Sequence, residues 1–147
     1  MIPETVLYVE DDEADIFFMK RAFEHLGNSY QLQVVCKALD AMDYLAGTNR
    51  FDDRRQYPLP SLVLLDLKLP GARGLEVLDW VRRQPEFQTL PVVVFTASNL
   101  EGDRRLHLER GANDYLVKPG DMNTIPEVLT PVLKRYIRPS AGEREAA

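Results

Sequence analysis

A chain of 147 residues, 45% hydrophobic and 28% charged, has the size and composition of one soluble globular domain with a real core. Its net charge of −5, from 18 basic and 23 acidic residues, lacks the basic excess that drives nonspecific nucleic-acid binding, so no nucleic-acid partner is expected. No apolar run approaches a membrane span and Met1-Ile2-Pro3-Glu4 does not open a signal peptide, so the expectation is a cytoplasmic protein with no membrane partner.

Apolar strands alternate with segments of helical period, the pattern of βα units on a mostly parallel sheet. Thr5 to Val9 is a nearly continuous apolar strand, as expected where both faces are covered. Ile16, Met19, Ala22, Phe23 and Leu26 form a helical stripe, and Gly27 stands where a left-handed cap belongs. Gln31 to Val35 is a weaker strand and Asp40 to Ala46 a short helix. Cys36, the only cysteine, lies among Val34, Val35 and Ala38 and reads as a buried, inert thiol.

Gly47 to Ser61 breaks the rhythm with two prolines and the run Asp52-Asp53-Arg54-Arg55, long for a helix-to-strand loop and therefore functional or mobile. Leu62 to Leu65 is the third strand and Gly74 to Arg83 a helix with Leu75, Leu78 and Val81 on one side. Val92 to Phe95, a short polar helix from Glu101 to Arg110, and the strand Asp114 to Val117 follow. The last helix, about Thr124 to Ile137, has a clean apolar face and an interior Pro131 that predicts a kink. Residues 1–137 are thus one domain, and 138–147, with no apolar anchor, a disordered tail.

Four strands end in residues of one kind of chemistry. The first closes with Glu10 and Asp11, the third with Asp66, the fourth with Thr96 and the fifth with Lys118. In an open parallel sheet the carboxyl ends of the strands share one edge, and ligands bind there. Crowded carboxylates raise one another's pKa unless a cation relieves them, and magnesium suits such an oxygen-rich place. Asp66 can be both a ligand and a nucleophile toward a phosphoryl group. The metal and Lys118 would screen charge on the transferred oxygens, and Thr96 could donate a hydrogen bond to one of them. Singly, each residue has a plainer reading: Asp and Thr cap helices, Lys118 is a solvated lysine, and Glu10, Asp11 and Asp12 favour a helix N-terminus. Those readings do not explain why four strands end in parts of a single site.

The segments Val9-Glu10-Asp11-Asp12, Leu65-Asp66-Leu67-Lys68-Leu69-Pro70-Gly71, Phe95-Thr96-Ala97 and Gly111-Ala112-Asn113-Asp114-Tyr115-Leu116-Val117-Lys118-Pro119 occur in this order and spacing. In them the chain resembles the receiver domain of two-component response regulators, from about Thr5 to Ile137. The resemblance implies an α/β, flavodoxin-like fold: a five-stranded parallel sheet of order 2-1-3-4-5 with helices on both faces. It implies a phosphoryl group taken from a histidine kinase. Asp66 matches the phosphoacceptor, Asp11 the direct Mg2+ ligand, Glu10 its neighbour acting through water, and the Lys68 backbone carbonyl the third protein ligand. Thr96 and Tyr115 match the switch pair and Lys118 the phosphate-binding lysine, with a cis Lys118-Pro119 bond typical. The proline-rich approach to the third strand and Pro85 to Pro91 look like the single-domain regulators paired with bacterial phytochromes, which makes a bacteriophytochrome kinase the expected partner. Arg73, where Asp is frequent, is a departure that removes no ligand.

The chain ends after the fifth helix, so output is expected through another protein or through a homodimer on the fourth helix, fifth strand and fifth helix, where Tyr136 and Ile137 reach past the sheet. The alternative for those two side chains is that they fold back onto the core. Two other functions compete. A haloacid-dehalogenase-type Mg2+-dependent phosphohydrolase would carry a second aspartate two residues after the nucleophile, where Lys68 stands. A phosphorylation-independent adaptor would not need Asp11, Asp66, Thr96 and Lys118 together. His25, His107, Arg104 and Arg105 read as surface residues, Trp80 as packing along the third helix.

Overall fold

The structure is a computed structural model and describes residues 3–137; the expected tail, 138–147, lies outside them. The central sheet has β1 (Glu4–Val9), β2 (Tyr30–Val35), β3 (Leu62–Leu65), β4 (Val92–Thr96) and β5 (Asp114–Val117). All pairings are parallel and the spatial order is β2-β1-β3-β4-β5, the order the resemblance implied. The helices are α1 (Glu13–His25), α2 (Ala38–Ala46), α3 (Gly74–Arg83), α4 (Glu101–Glu109) and α5 (Ile125–Tyr136).

Alternation along each strand divides the core in two. Leu7, Val9, Val63, Leu65, Val92 and Val94 face α2 and α3, while Val6, Tyr8, Leu62, Leu64, Val93 and Phe95 face α1 and α5. Both faces of β1, β3 and β4 are therefore dry, which is why their sequences read as continuous apolar runs. Among the described residues, no helix is long and apolar enough to cross a membrane.

The strand ladder continues one residue past the strand ends. Glu10 N donates to Val35 O at 3.0 Å, Asp66 N to Val9 O at 3.1 Å and Lys118 N to Thr96 O at 2.7 Å. These bonds fix the first residue after β1, β3 and β5 on one edge, at the place where the strand order reverses around β1 and β3.

Several expectations change. The short antiparallel pair Lys68–Leu69 with Ala72–Arg73, which turns through Gly71 at φ 73°, was not foreseen. Cys36 is exposed: β2 is an edge strand that ends at Val35, so apolar neighbours in sequence do not enclose the next residue. His107 is the buried residue of α4; its Nδ1 lies 2.7 Å from the Asp103 carbonyl, which can only accept, so Nδ1 carries the proton. The Lys118-Pro119 bond is trans, as no peptide among the described residues is cis; trans is the intrinsically favoured isomer even before proline.

α5 runs unbroken through Pro131. Ile137 is buried against the α1–α5 face, and Tyr136 Oη donates to the Asn113 carbonyl at 3.0 Å, so both fold back as the alternative had it. In the long loop, Arg54 has a structural role. Its guanidinium donates to the carbonyls of Tyr44 and Leu45 at 2.8 Å and of Tyr57 at 3.2 Å, satisfying the last turn of α2.

Candidate functional site

The rim forms an open depression of about 470 Å3, lined by Glu10, Asp11, Asp15, Asp66, Thr96 and Lys118 among others. Carboxylate oxygens of Glu10, Asp11 and Asp66 all lie within 4.8 Å of one another. Asp11 is exposed, Asp66 is 6% exposed and Glu10 is fully buried.

Glu10 uses all its acceptor capacity inside the protein. Oε1 accepts from Tyr8 Oη at 3.2 Å and from Lys118 Nζ at 2.6 Å; Oε2 accepts from the backbone N–H groups of Asp11 and Asp12 at 3.1 and 3.2 Å. A carboxylate offers about four lone-pair sites. Glu10 is thus suited to hold the turn and the Lys118 ammonium, while Asp11 and Asp66 keep oxygens free for direct contact with a cation. Asp66 Oδ1 accepts from Leu67 N at 2.8 Å, and Oδ2 stands 3.6 Å from Lys118 Nζ.

Burial pushes the Glu10 carboxyl up to about 7, Asp66 beside it adds to the rise and Lys118 opposes it. Burial alone would lower the Lys118 ammonium, but Asp15, Glu10 and Asp66 together outweigh it and hold it above its ordinary value. The Tyr8 phenol is raised by burial and then by the Glu10 carboxylate, so it remains a donor. Lys118 and Lys68 against six carboxylates, those of Glu10, Asp11, Asp12, Asp15, Asp66 and Asp103, leave the cleft short of positive charge. The donor set, all oxygen and partly open, fits a hard divalent cation that keeps several waters.

On the side toward α4, Thr96 is buried at the end of β4 and its Oγ1 accepts from Ser98 N at 3.3 Å. Tyr115 lies inward, 4% exposed, and its hydroxyl donates to the Ser98 carbonyl at 3.0 Å. Ser98 Oγ donates to Asp103 Oδ2 at 2.5 Å. Thr96 and Tyr115 therefore both engage Ser98, one through its N–H and the other through its carbonyl.

Glu10, Asp11, Asp66, Thr96 and Lys118 converge as the strand pattern predicted, and Lys68 lines the same depression. Four contributors went unnoticed in the sequence. Tyr8 reaches Glu10 because residues two apart on a strand share a face. Asp15 accepts from Lys118 Nζ at 2.6 Å; it stands four residues after Asp11, one helical turn back toward the rim. Ser98 and Asp103 belong to a loop and a helix start that carry no strand-end signal. Arg73 is exposed beside the site and does not line it.

A family model for the response regulator receiver domain matches residues 6–130. The chain belongs to this family. The probable methanogenesis regulatory protein FilR2 of Methanothrix harundinacea is 38% identical over 117 residues, 80% of this chain and 73% of that protein. Response regulator Rcp1 of Synechocystis sp. is 32% identical over 123 residues, 84% of this chain and 82% of Rcp1. The crystal structure of the Mn2+-bound form of Rcp1 aligns with a TM-score of 0.82 at 29% identity, covering 94% of this chain and all of that one. The bacteriophytochrome response regulator RtBRR aligns with a TM-score of 0.75 at 33% identity, covering 98% of this chain and 88% of that one. Other curated relatives are longer: the chain spans 57% of one and 44% of another.

Proposed function

We propose that the chain accepts a phosphoryl group from a histidine kinase on Asp66 and signals through the Thr96–Tyr115 side of the site. The observation that carries this is the position of Asp66: nearly buried, with Oδ2 facing the Lys118 ammonium and the Asp11 and Glu10 carboxylates beside it. Asp66 Oδ2 attacks phosphorus, a new O–P bond forms and the P–N bond to the kinase imidazole breaks, its electron pair returning to the ring nitrogen. Asp11, Asp66 and the Lys68 carbonyl would hold Mg2+, with Glu10 in support by holding the turn that carries Asp11. When bound, the ion neutralises charge on the phosphoryl oxygens. Lys118 pairs with one of those oxygens and the Thr96 hydroxyl, turning from Ser98 N, donates to another. Tyr115 is already inward, so the change is a re-partnering of Thr96 and Ser98 rather than an inward swing of the ring.

A phytochrome-type kinase is the partner we favour, supported by the likeness to RtBRR along nearly the whole chain. Leu106 and Val117, 37% and 43% exposed, support a homodimer through α4, β5 and α5. Sedimentation at tens of micromolar with and without beryllofluoride tests it; a monomer in both ends the proposal. The chain catalyses only its own phosphorylation and dephosphorylation in this reading. A phosphohydrolase is disfavoured by Lys68, and an adaptor by the assembled site. Acetyl phosphate with Mg2+ separates the three: accumulation of one labile phosphoryl group marks a switch, turnover an enzyme, neither an adaptor. Asp66→Asn should abolish the added mass, and equal labelling of wild type and mutant would remove Asp66 from this role.

A further inference from the structure

Lys118 meets two carboxylates at the same short distance, and they differ in what losing the contact would cost. Nζ donates to Glu10 Oε1 and to Asp15 Oδ2 at 2.6 Å each, and stands 3.6 Å from Asp66 Oδ2, beyond a hydrogen bond. To grip an oxygen on a phosphorylated Asp66, the ammonium must weaken one of the short contacts. Glu10 is fully buried, and without Lys118 its Oε1 would keep only the Tyr8 hydroxyl. The Asp15 side chain is 21% exposed, in the first turn of α1, so water can replace the ammonium there. Asp15 also stands outside the cluster of Glu10, Asp11 and Asp66. The simple structural role, a carboxylate complementing the α1 N-terminus, needs neither this direction nor this contact.

We infer that Asp15 is a positioning residue that holds Lys118 in the resting state and competes with the phosphoryl group for it. The inference rests on the reading of Asp66 as phosphoacceptor. Asp15 thereby sets how readily the site is charged: a stronger hold means a lower affinity for phosphoryl.

The test is titration of beryllofluoride, a phosphoryl mimic, into the Mg2+-loaded chain, followed by backbone amide NMR. Asp15→Asn should bind about tenfold more tightly than wild type, the scale of one charge-assisted hydrogen bond in a partly exposed place. Asp12→Asn removes the same charge from the same cleft and keeps an N-cap, so it should change affinity less than threefold. Asp15→Glu should restore wild-type affinity. In a Lys118→Ala background the gain from Asp15→Asn should vanish, because the effect passes through Lys118. If Lys118→Ala does not fold, the contrast between Asp15→Asn and Asp12→Asn decides. Equal or weaker binding by Asp15→Asn, an equal gain in Asp12→Asn, or a gain that survives without Lys118 would overturn the inference. A wild type that fails to bind beryllofluoride overturns the assignment of Asp66 instead.

Discussion

Gly74 is the first residue of α3, and a Cβ built on it would stand 2.2 Å from the carbonyl oxygen of Asp66 and 3.1 Å from its carbonyl carbon and from Leu67 Cα. These are backbone atoms, so no side-chain rotation relieves the clash, and the Gly74 N–H already donates to the Leu67 carbonyl at 2.9 Å. Reaching a tolerable contact of 3.0 Å requires the two segments to part by about 0.8 Å. Gly74→Ala should therefore destabilise by roughly 1–3 kcal/mol, the usual range for overpacking. The larger effect falls on chemistry, since a nucleophile misplaced by about 1 Å loses on the order of 100-fold in rate. Intact-mass spectrometry during incubation with acetyl phosphate and Mg2+ measures the rate, and urea unfolding measures stability in parallel. Gly102→Ala is the control: it has open space in α4 and should be neutral or stabilising by up to about 1 kcal/mol. Phosphorylation of Gly74→Ala within threefold of wild type would refute the view that this contact seats Asp66.

Neighbouring arginines on α3 should behave differently. Arg82 donates to the carbonyls of Gly111, Phe87 and Leu90 and to Asn113 Oδ1, at 2.9–3.0 Å, whereas Arg83 is exposed. Arg82→Met should cost roughly 3–5 kcal/mol in urea unfolding and Arg83→Met less than about 0.5 kcal/mol; a difference under about 1 kcal/mol would contradict the clamp. Asp11→Ala should lower Mg2+ affinity by an order of magnitude or more, about the scale of losing a charged ligand, and Glu10→Gln should lower it less, as read by isothermal titration; a wild-type affinity in Asp11→Ala would contradict the ligand assignment. Amide shifts on adding beryllofluoride should concentrate from Thr96 to Lys118 and include Ser98. Shifts confined to Asp66 and Leu67 would argue against a switch.

The strand-ending residues were legible because a buried parallel strand is an unbroken apolar run, and the residue that breaks it is the one at the rim. That rule located Glu10, Asp66, Thr96 and Lys118 from sequence alone. It fails for residues that reach the rim from helices and loops, and so Asp15, Ser98 and Asp103 were missed. It also misjudged Cys36, where apolar neighbours in sequence belong to an edge strand that gives no cover on one side. The Gly47 to Ser61 loop read as functional or mobile because of its length, and nothing in its residues signalled that Arg54 spends its charge on the carbonyls of α2. His107 was read as surface because α4 is a polar helix; its one buried position holds a histidine with a carbonyl partner.

The ammonium of Lys118 meets partners 103 and 108 residues earlier in the chain. The cleft is assembled from the ends of four strands spread along the chain, and a sheet missing β5 lacks Lys118. A chain still being made, or one with its last strand detached, thus presents the Glu10, Asp11 and Asp66 carboxylates without the ammonium that pairs with Glu10. The pairing of that ammonium with Glu10 and Asp15 therefore exists only when β1 and β5 share one sheet, so the electrostatics of the cleft report on closure of the fold from first strand to last.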